Sequence, residues 1–312
     1  MDKYRKLRQC LEAGAPGIAL CEAPAACRAQ LALVHDAAWI DRMLHGSLSA
    51  REERAIGFPW SPAMAERSLR SVGATLAACE AACSDGFSAN LAGGTHHAYA
   101  DRGEGFCCFN DFAVAARWVQ AQGWAQRVLI VDLDVHQGNG TARIFRNDAS
   151  VFTLSIHGAR NFPFSKETGD ADYALADGTG DDVYLATLER ALGEAATRFA
   201  ADWVLYLAGA DVYCGDRLGR LALSADAIAR RDAMVMAWCQ AAGLPCVVAM
   251  GGGYAEPIED TVAIHAHTVR LAAHGAASIA GMRKSRGSFA AQRGAERGAE
   301  RGPARAGPEP DA

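Results

Sequence analysis

A three-layer α/β/α fold around a central, mostly parallel β-sheet, in one domain, is predicted by two features of the sequence. The first is a set of five short, almost wholly apolar runs, each leading into a polar or glycine-rich loop: FSANLAGG (87–94), RVLIVDLD (127–134), SVFTLSIHG (150–158), WVLYLAGAD (203–211) and PCVVAMGGG (245–253). The second is that helix-like segments separate most of them. Strands that are apolar throughout, rather than alternating, are buried on both faces, and in alternation with helices they make a parallel sheet covered on each side. Ligands of such sheets bind beyond the C-terminal strand edge. Every polar cluster discussed below follows the apolar part of one of these strands, so the clusters are expected to converge.

The elements follow in chain order. Tyr4, Leu7 and Leu11 recur at helical spacing, which predicts an amphipathic first helix. The apolar run GIAL (17–20) reads as a short buried strand. From Ser61-Pro62 to Cys83 an Ala-rich stretch suits a long helix, with Ser as N-cap and Pro at the first helical position. Further helices are expected at about 111–122, 181–200, 224–242 and 257–274. No boundary interrupts the domain, assigned to residues 1–280. From Arg283 the composition turns to Arg, Gly, Ala and Glu with a repeated RGAE unit. Segment 281–312 has almost no large apolar residues to offset its ordering entropy and is expected to be a disordered basic tail.

Composition sets outer limits. Half the residues are hydrophobic and 21% are charged, enough to build a large core in a soluble protein. The formal net charge of -5 offers no electrostatic footprint for nucleic acid or an anionic membrane. No run approaches the ~20 apolar residues that span a bilayer, and the charged start MDKYRKLRQC lacks the apolar core of a signal peptide. The 10 cysteines include no CxxC pair and read as free thiols of a reducing compartment. A cytoplasmic location is expected. The abundance of Ala and Arg points to a GC-rich bacterial genome.

The strongest local signal is Asp132-Leu-Asp134-Val-His136. In an extended strand, alternate residues share a side, so two carboxylates and an imidazole face one way at the end of a buried strand. Like charges buried together are costly unless a cation lies between them, and carboxylate oxygen with imidazole nitrogen suits zinc. Asp211 closes WVLYLAGAD at the same edge. A lone Asp at a strand end is usually a cap or turn residue; here the first motif leaves a metal short of ligands. His96-His97, in a Gly-flanked loop after FSANLAGG, can both reach one pocket. Tyr254 follows three glycines that permit tight turns and close approach. A phosphate loop is not met, since GxGxxG spacing and a Walker Lys are missing. Together these residues compose a hydrolytic site with a metal, a His general base and a Tyr donor to the carbonyl oxygen. Two carboxylates neutralise most of the Zn2+ charge, so its water is less acidic than the pKa of about 7 reached at a three-His site, and a base is needed.

NLAGGTHHAYADRGEGFCCFND, VLIVDLDVHQGNGTARIF, LAGADVYCGDRLGRLALS and MGGGYA closely resemble the histone deacetylase family with its arginase/deacetylase fold, over roughly residues 1–275. The HQGNG and GDRLGRL wording is most similar to the class IV branch and its bacterial relatives. The resemblance implies zinc on Asp134, His136 and Asp211, with ferrous iron accepted by the same donor set. It implies His97 as general base and acid, paired with Asn139 where class I members have Asp, and His96 acting electrostatically with Asp132. It implies Tyr254 as the carbonyl polariser, Phe106 and Phe162 as walls of an acyl-lysine tunnel, and Gly105 as acceptor of a substrate amide hydrogen bond. A structural potassium ion is implied on backbone oxygens of Asp132, Asp134 and His136 with Ser155 and Ile156, and a second monovalent site near Phe145 and Val151. Members of the family carry a strand segment ahead of the position where MDKY stands, and the RGAE tail lies outside the family pattern.

The expected activity is therefore a zinc-dependent deacylation of acyl-lysine, acetyl or longer, in protein or in a small acylated amine. A deacetylase of small molecules such as acetylpolyamines keeps the same catalytic residues and differs at the rim. A manganese arginase needs a further carboxylate two residues after His136, where this chain has Gly138. A catalytically silent acyl-lysine-binding module is opposed by the presence of His96, His97 and Tyr254 together.

Overall fold

In the computed structural model, which describes residues 2–15 and 17–275, the apolar runs become the strands of one sheet. The chain order is α1 (Asp2–Gly14), α2 (Arg28–Leu31), α3 (Ala37–His45), α4 (Ala50–Ile56), α5 (Pro62–Asp85), β1 (Phe87–Asn90), α6 (Asp111–Ala121), β2 (Val128–Asp132), α7 (Asn139–Ile144), β3 (Val151–Gly158), β4 (Ala171–Leu175), α8 (Asp181–Arg198), β5 (Trp203–Gly209), α9 (Ala225–Ala242) and β6 (Cys246–Gly251). A last helix, α10, covers 258–275. The strands lie in the order β1-β6-β5-β2-β3-β4, and every pairing between these strands is parallel.

The two cores explain why the central strands are apolar at every position. Leu129, Val131, Val204, Tyr206, Ala208, Val248 and Met250 pack on one face with α1, α8 and α9. Their neighbours Val128, Ile130, Trp203, Leu205, Leu207, Val247 and Ala249 pack on the other with α3, α5 and α6. Successive side chains of a strand point to opposite faces, so a sheet with a helical layer on each side buries both sets. α1 buries Lys3, Leu7 and Leu11, one stripe at i, i+4 and i+8. α5 begins as its sequence dictates: Ser61 accepts the Met64 N–H and Pro62 occupies the first turn.

The structure departs from the sequence reading at the short helices α2, α3, α4 and α7, which were not read, at GIAL and at β4. GIAL (17–20) is not a strand but irregular chain, with Gly17 and Ala19 exposed. Four residues with only two large apolar side chains bury too little to join the sheet. β4 went unread because it is an edge strand whose burial alternates, and its sequence ADYAL is half polar. The 281–312 tail lies outside the described residues.

Candidate active site

β2 leaves the ladder at Asp132, and its carboxylates organise the turn that follows. Asp132 Oδ1 accepts the Asp134 N–H (3.1 Å), Asp134 Oδ1 accepts the His136 N–H (2.9 Å), and Asp211 Oδ1 accepts the Val135 N–H (2.9 Å). Short acidic side chains that bond backbone two residues on replace the ladder with a tight loop. This corrects the picture of three side chains in a row on one strand. Asp134 and His136 stand on the loop, and Asp132 turns away to a histidine. Asp134, His136 and Asp211 offer ligand atoms within 4.8 Å of one another, and Asp211 comes from the end of the neighbouring strand β5.

The donor set fits a divalent cation. His136 Nδ1 bonds Asp134 Oδ1 at 2.9 Å and lies 3.2 Å from Asp211 Oδ2. Among the described residues that fully buried oxygen has no hydrogen-bond partner. Burial and the neighbouring Asp134 charge push the Asp211 carboxyl up to about 6. Two buried carboxylates against one imidazole carry charge that a cation with oxygen and nitrogen ligands offsets.

His96 and His97 occupy the loop between β1 and α6. His96 Nδ1 bonds Asp132 Oδ2 at 2.7 Å, His97 Nδ1 bonds Asn139 Oδ1 at 2.7 Å, and the two Nε2 atoms lie 3.2 Å apart. The FND sequence at 109–111 holds this loop. Asn110 Nδ2 donates to Ala98 O (3.0 Å) and Thr141 Oγ1 (3.0 Å), while buried Asp111 accepts from Thr75 Oγ1 (2.7 Å) and from the N–H groups of Gly94 (3.1 Å) and Thr95 (2.8 Å). Burial opposes charge on His96, but the Asp132 carboxylate outweighs it and lifts the imidazole to about 9. His97 is pulled well below the ordinary histidine value by burial and by the charges of His96 and His136. The two imidazoles are thus shifted in opposite directions, His96 up and His97 down.

Tyr254 enters the same cavity from the end of β6. Its N–H donates to Asp216 Oδ2 (2.5 Å), and the Lys3 ammonium lies 4.6 Å from its ring centroid. Lys3 also bonds the carbonyls of Gly252 and Gly253. Gly252 is required here: its φ is +51°, and a Cβ would stand 2.0 Å from Asp211 Oδ2. Burial and neighbouring Tyr4 raise the Tyr254 phenol beyond its usual range, so it stays protonated as a donor.

The cavity measures about 890 Å³, and Gly105, Phe106 and Phe162 line it with the histidines, Tyr254 and the acidic triad. The Phe162 ring meets His97 edge-on at 4.9 Å, Phe106 is 52% exposed at the mouth, and the Gly105 carbonyl accepts the Cys107 thiol at 3.3 Å. Ser155 pairs with Asp132 in the β2–β3 register, with Ile156 next along β3; Ser155 Oγ lies 2.9 Å from His157 Nδ1.

Sequence reasoning missed Arg231, which is fully buried on α9. Its Nη1 donates to Gly209 O (2.6 Å) and Leu133 O (3.3 Å), the strand ends that precede Asp211 and Asp134. Its Nε bonds Asp232, which also accepts from Tyr206 and Thr268 hydroxyls at 2.5 Å each. An Arg in an Ala-rich helix carries no sequence mark of burial. Lys3, Glu104 and Asp216 were missed as well; Glu104 and Asp216 fall inside the motifs GEGFC and GDRLG.

Fold and site together define a three-layer α/β protein with a candidate metal triad, a histidine pair and a tyrosine in one cavity. The family model described as Histone deacetylase domain matches residues 1–269, and the chain belongs to the histone deacetylase family. It is thus an enzyme of the deacetylase and amidohydrolase type, in a metal-dependent family. An uncharacterized protein of Picosynechococcus sp. is 45% identical over 245 residues, 78% of this chain and 82% of that protein. Histone deacetylase 2 of Arabidopsis thaliana is 36% identical over 188 residues, 59% of this chain; the match spans 49%, about half, of the plant protein. The crystal structure of an HDAC homolog from Aquifex aeolicus aligns with a TM-score of 0.75 over 89% of this chain and 81% of that one; at 23% identity the likeness shows the fold.

Proposed function

We propose that the chain is a zinc-dependent deacylase that hydrolyses the amide of acyl-lysine, acetyl or longer. One observation carries the reading: His97, Tyr254 and the Asp134–His136–Asp211 triad face one cavity about 890 Å³ in size. Asp134, His136 and Asp211 would hold the metal, which when bound supplies Lewis acidity toward the amide carbonyl and acidifies water. Zinc is preferred for its nitrogen and oxygen ligands, and ferrous iron fits the same set.

The acyl chain passes Phe106 and Phe162, whose rings exclude water and align the amide. His97 Nε2 accepts a proton from the attacking water as oxygen bonds to the carbonyl carbon. The Tyr254 hydroxyl donates to the carbonyl oxygen, where negative charge develops. His96, kept cationic by Asp132, adds positive charge beside His97. The C–N bond then breaks, the His97 proton goes to the departing amine, and a carboxylic acid and a free amine result. Gly105 offers its carbonyl to the substrate amide N–H.

The HQGNG and GDRLGRL motifs support assignment to the class IV branch. A potassium ion on backbone oxygens of Asp132, Asp134 and His136 with Ser155 and Ile156 belongs to the same reading, supported by the register that sets Ser155 beside Asp132. A cytoplasmic location is supported by free cysteines throughout. No helix among the described residues is long and apolar enough to cross a membrane.

The test is deacylation by zinc-loaded protein across lysine peptides bearing acetyl to myristoyl groups, with acetylpolyamines alongside. Turnover that vanishes in His97→Ala supports the reading, and the preferred substrate assigns protein or small-molecule specificity. A metal-loaded protein inactive on all of them, or a fully active His97→Ala, removes it.

A further inference from the structure

We propose that Glu104, assisted by Tyr99, is a positioning residue that selects the productive tautomer of His97 through the side-chain amide of Asn139. The inference rests on His97 being the base, as proposed above. His97 Nδ1 lies 2.7 Å from Asn139 Oδ1, and Asn139 Nδ2 lies 3.2 Å from Glu104 Oε2 and 3.0 Å from the Tyr99 hydroxyl oxygen. A carboxylate in place of Asn139 would present the same atom whichever way it turned. An amide has two unlike ends, so its orientation dictates where the neighbouring imidazole keeps its hydrogen.

With Oδ1 inward, His97 donates from Nδ1 and Nε2 keeps its lone pair, the one that takes a proton from water. With Nδ2 inward, Nδ1 becomes the acceptor and the hydrogen moves to Nε2, where the base is silent. That tautomer also sets an N–H against the second N–H of cationic His96, across the 3.2 Å between the two Nε2 atoms.

The outer end of the amide decides between the two. The Glu104 carboxylate only accepts, and the Tyr99 oxygen accepts because its own hydrogen goes to Glu167 Oε1 at 3.4 Å. Reversing the amide would therefore press Oδ1 against the Glu104 carboxylate, which has no hydrogen to give, and would require the Tyr99 hydroxyl to turn its hydrogen away from Glu167. Asn139 and Tyr99 are buried, so water does not repair the mismatch cheaply. Glu104 itself is half-buried and lines the cavity. The chain thus uses a neutral residue beside the base and places the orienting carboxylate one residue further out.

The experiment measures kcat, KM and the histidine ¹⁵N resonances of zinc-loaded protein for Glu104→Leu, made both in the natural chain and in Asn139→Asp. In the natural chain Glu104→Leu should lower kcat by about tenfold or more with little change in KM. His97, assigned by comparison with His97→Ala, should gain the Nε2–H signature. In the Asn139→Asp chain, whose two carboxylate oxygens are equivalent, Glu104→Leu should cost no kcat. Glu104→Gln, which keeps an acceptor oxygen, should retain most of the activity. Tyr99→Phe carries the same test should Glu104→Leu not fold. An unchanged His97 tautomer, or an equal loss in both backgrounds, overturns the proposal. The tautomer readout needs no turnover, so an inactive natural chain would sink the functional reading and leave this one measurable.

Discussion

His35 provides a titration whose size follows from the geometry and whose consequence reaches the catalytic loop. Its Nε2 accepts the Asn110 N–H at 3.0 Å and its Nδ1 lies 3.3 Å from Ala100 O, so only the neutral ring satisfies both partners. Asn110 in turn holds the carbonyl of Ala98, next to the histidine pair. Burial pulls the His35 imidazole from 6.5 down to about 4. Between those values the unfolded chain binds a proton that the folded chain refuses, so stability falls as the solution is acidified. The contribution is fully present above the unfolded value of 6.5 and lost as pH drops toward about 4, levelling off below it. At 1.36 kcal/mol per unit the full loss is about 3 kcal/mol, of which about 2.5 kcal/mol falls between about pH 7.5 and about pH 4.5. Urea denaturation of metal-free protein and of His35→Gln at both pH values isolates the effect, since buried His157 and His265 titrate in both chains. The variant should lose about 2.5 kcal/mol less than the natural chain over that interval. Equal losses would refute a buried neutral His35 as an acid-labile support of the loop.

Three further outcomes follow from the site. Tyr254→Phe should reduce kcat by about 10²–10³ while metal content stays constant by elemental analysis; undiminished kcat removes the tyrosine from carbonyl polarisation. Asp211→Ala should purify without stoichiometric metal and lose activity, whereas a full complement would mean that the triad is not the ligand set. Arg231→Met leaves the buried Asp232 carboxylate without its counter-ion and should destabilise by about 3–5 kcal/mol in denaturant, with part regained on adding Asp232→Asn. A melting curve unchanged by Arg231→Met would show that the cross-tie between Leu133 and Gly209 does not contribute.

The sheet was legible because burial on two faces forces long apolar runs, and Val128–Val131 and Trp203–Leu207 carry that signature at every position. β4 was not, since an edge strand alternates and its Asp172 and Tyr173 look like loop. The triad was legible as residue types, though for a partly wrong reason. Strand periodicity does not bring Asp134 and His136 together; carboxylate-to-backbone hydrogen bonds do, after β2 has ended at Asp132. The bonds from His96 to Asp132 and from His97 to Asn139 stand where the family resemblance implied them. The supports Arg231, Lys3 and Glu104 were hidden because their roles depend on contacts across the fold, 98, 249 and 35 residues distant in sequence, that no local pattern records.

Whether the triad binds the metal on which hydrolysis depends is measured by titrating zinc into metal-stripped protein while following turnover of an acyl-lysine peptide. Stripped protein should show no turnover, and the rate should rise linearly to a plateau at about one zinc per chain, with no such rise in Asp211→Ala. Full turnover in the stripped protein, or an equal zinc response in Asp211→Ala, would contradict that role.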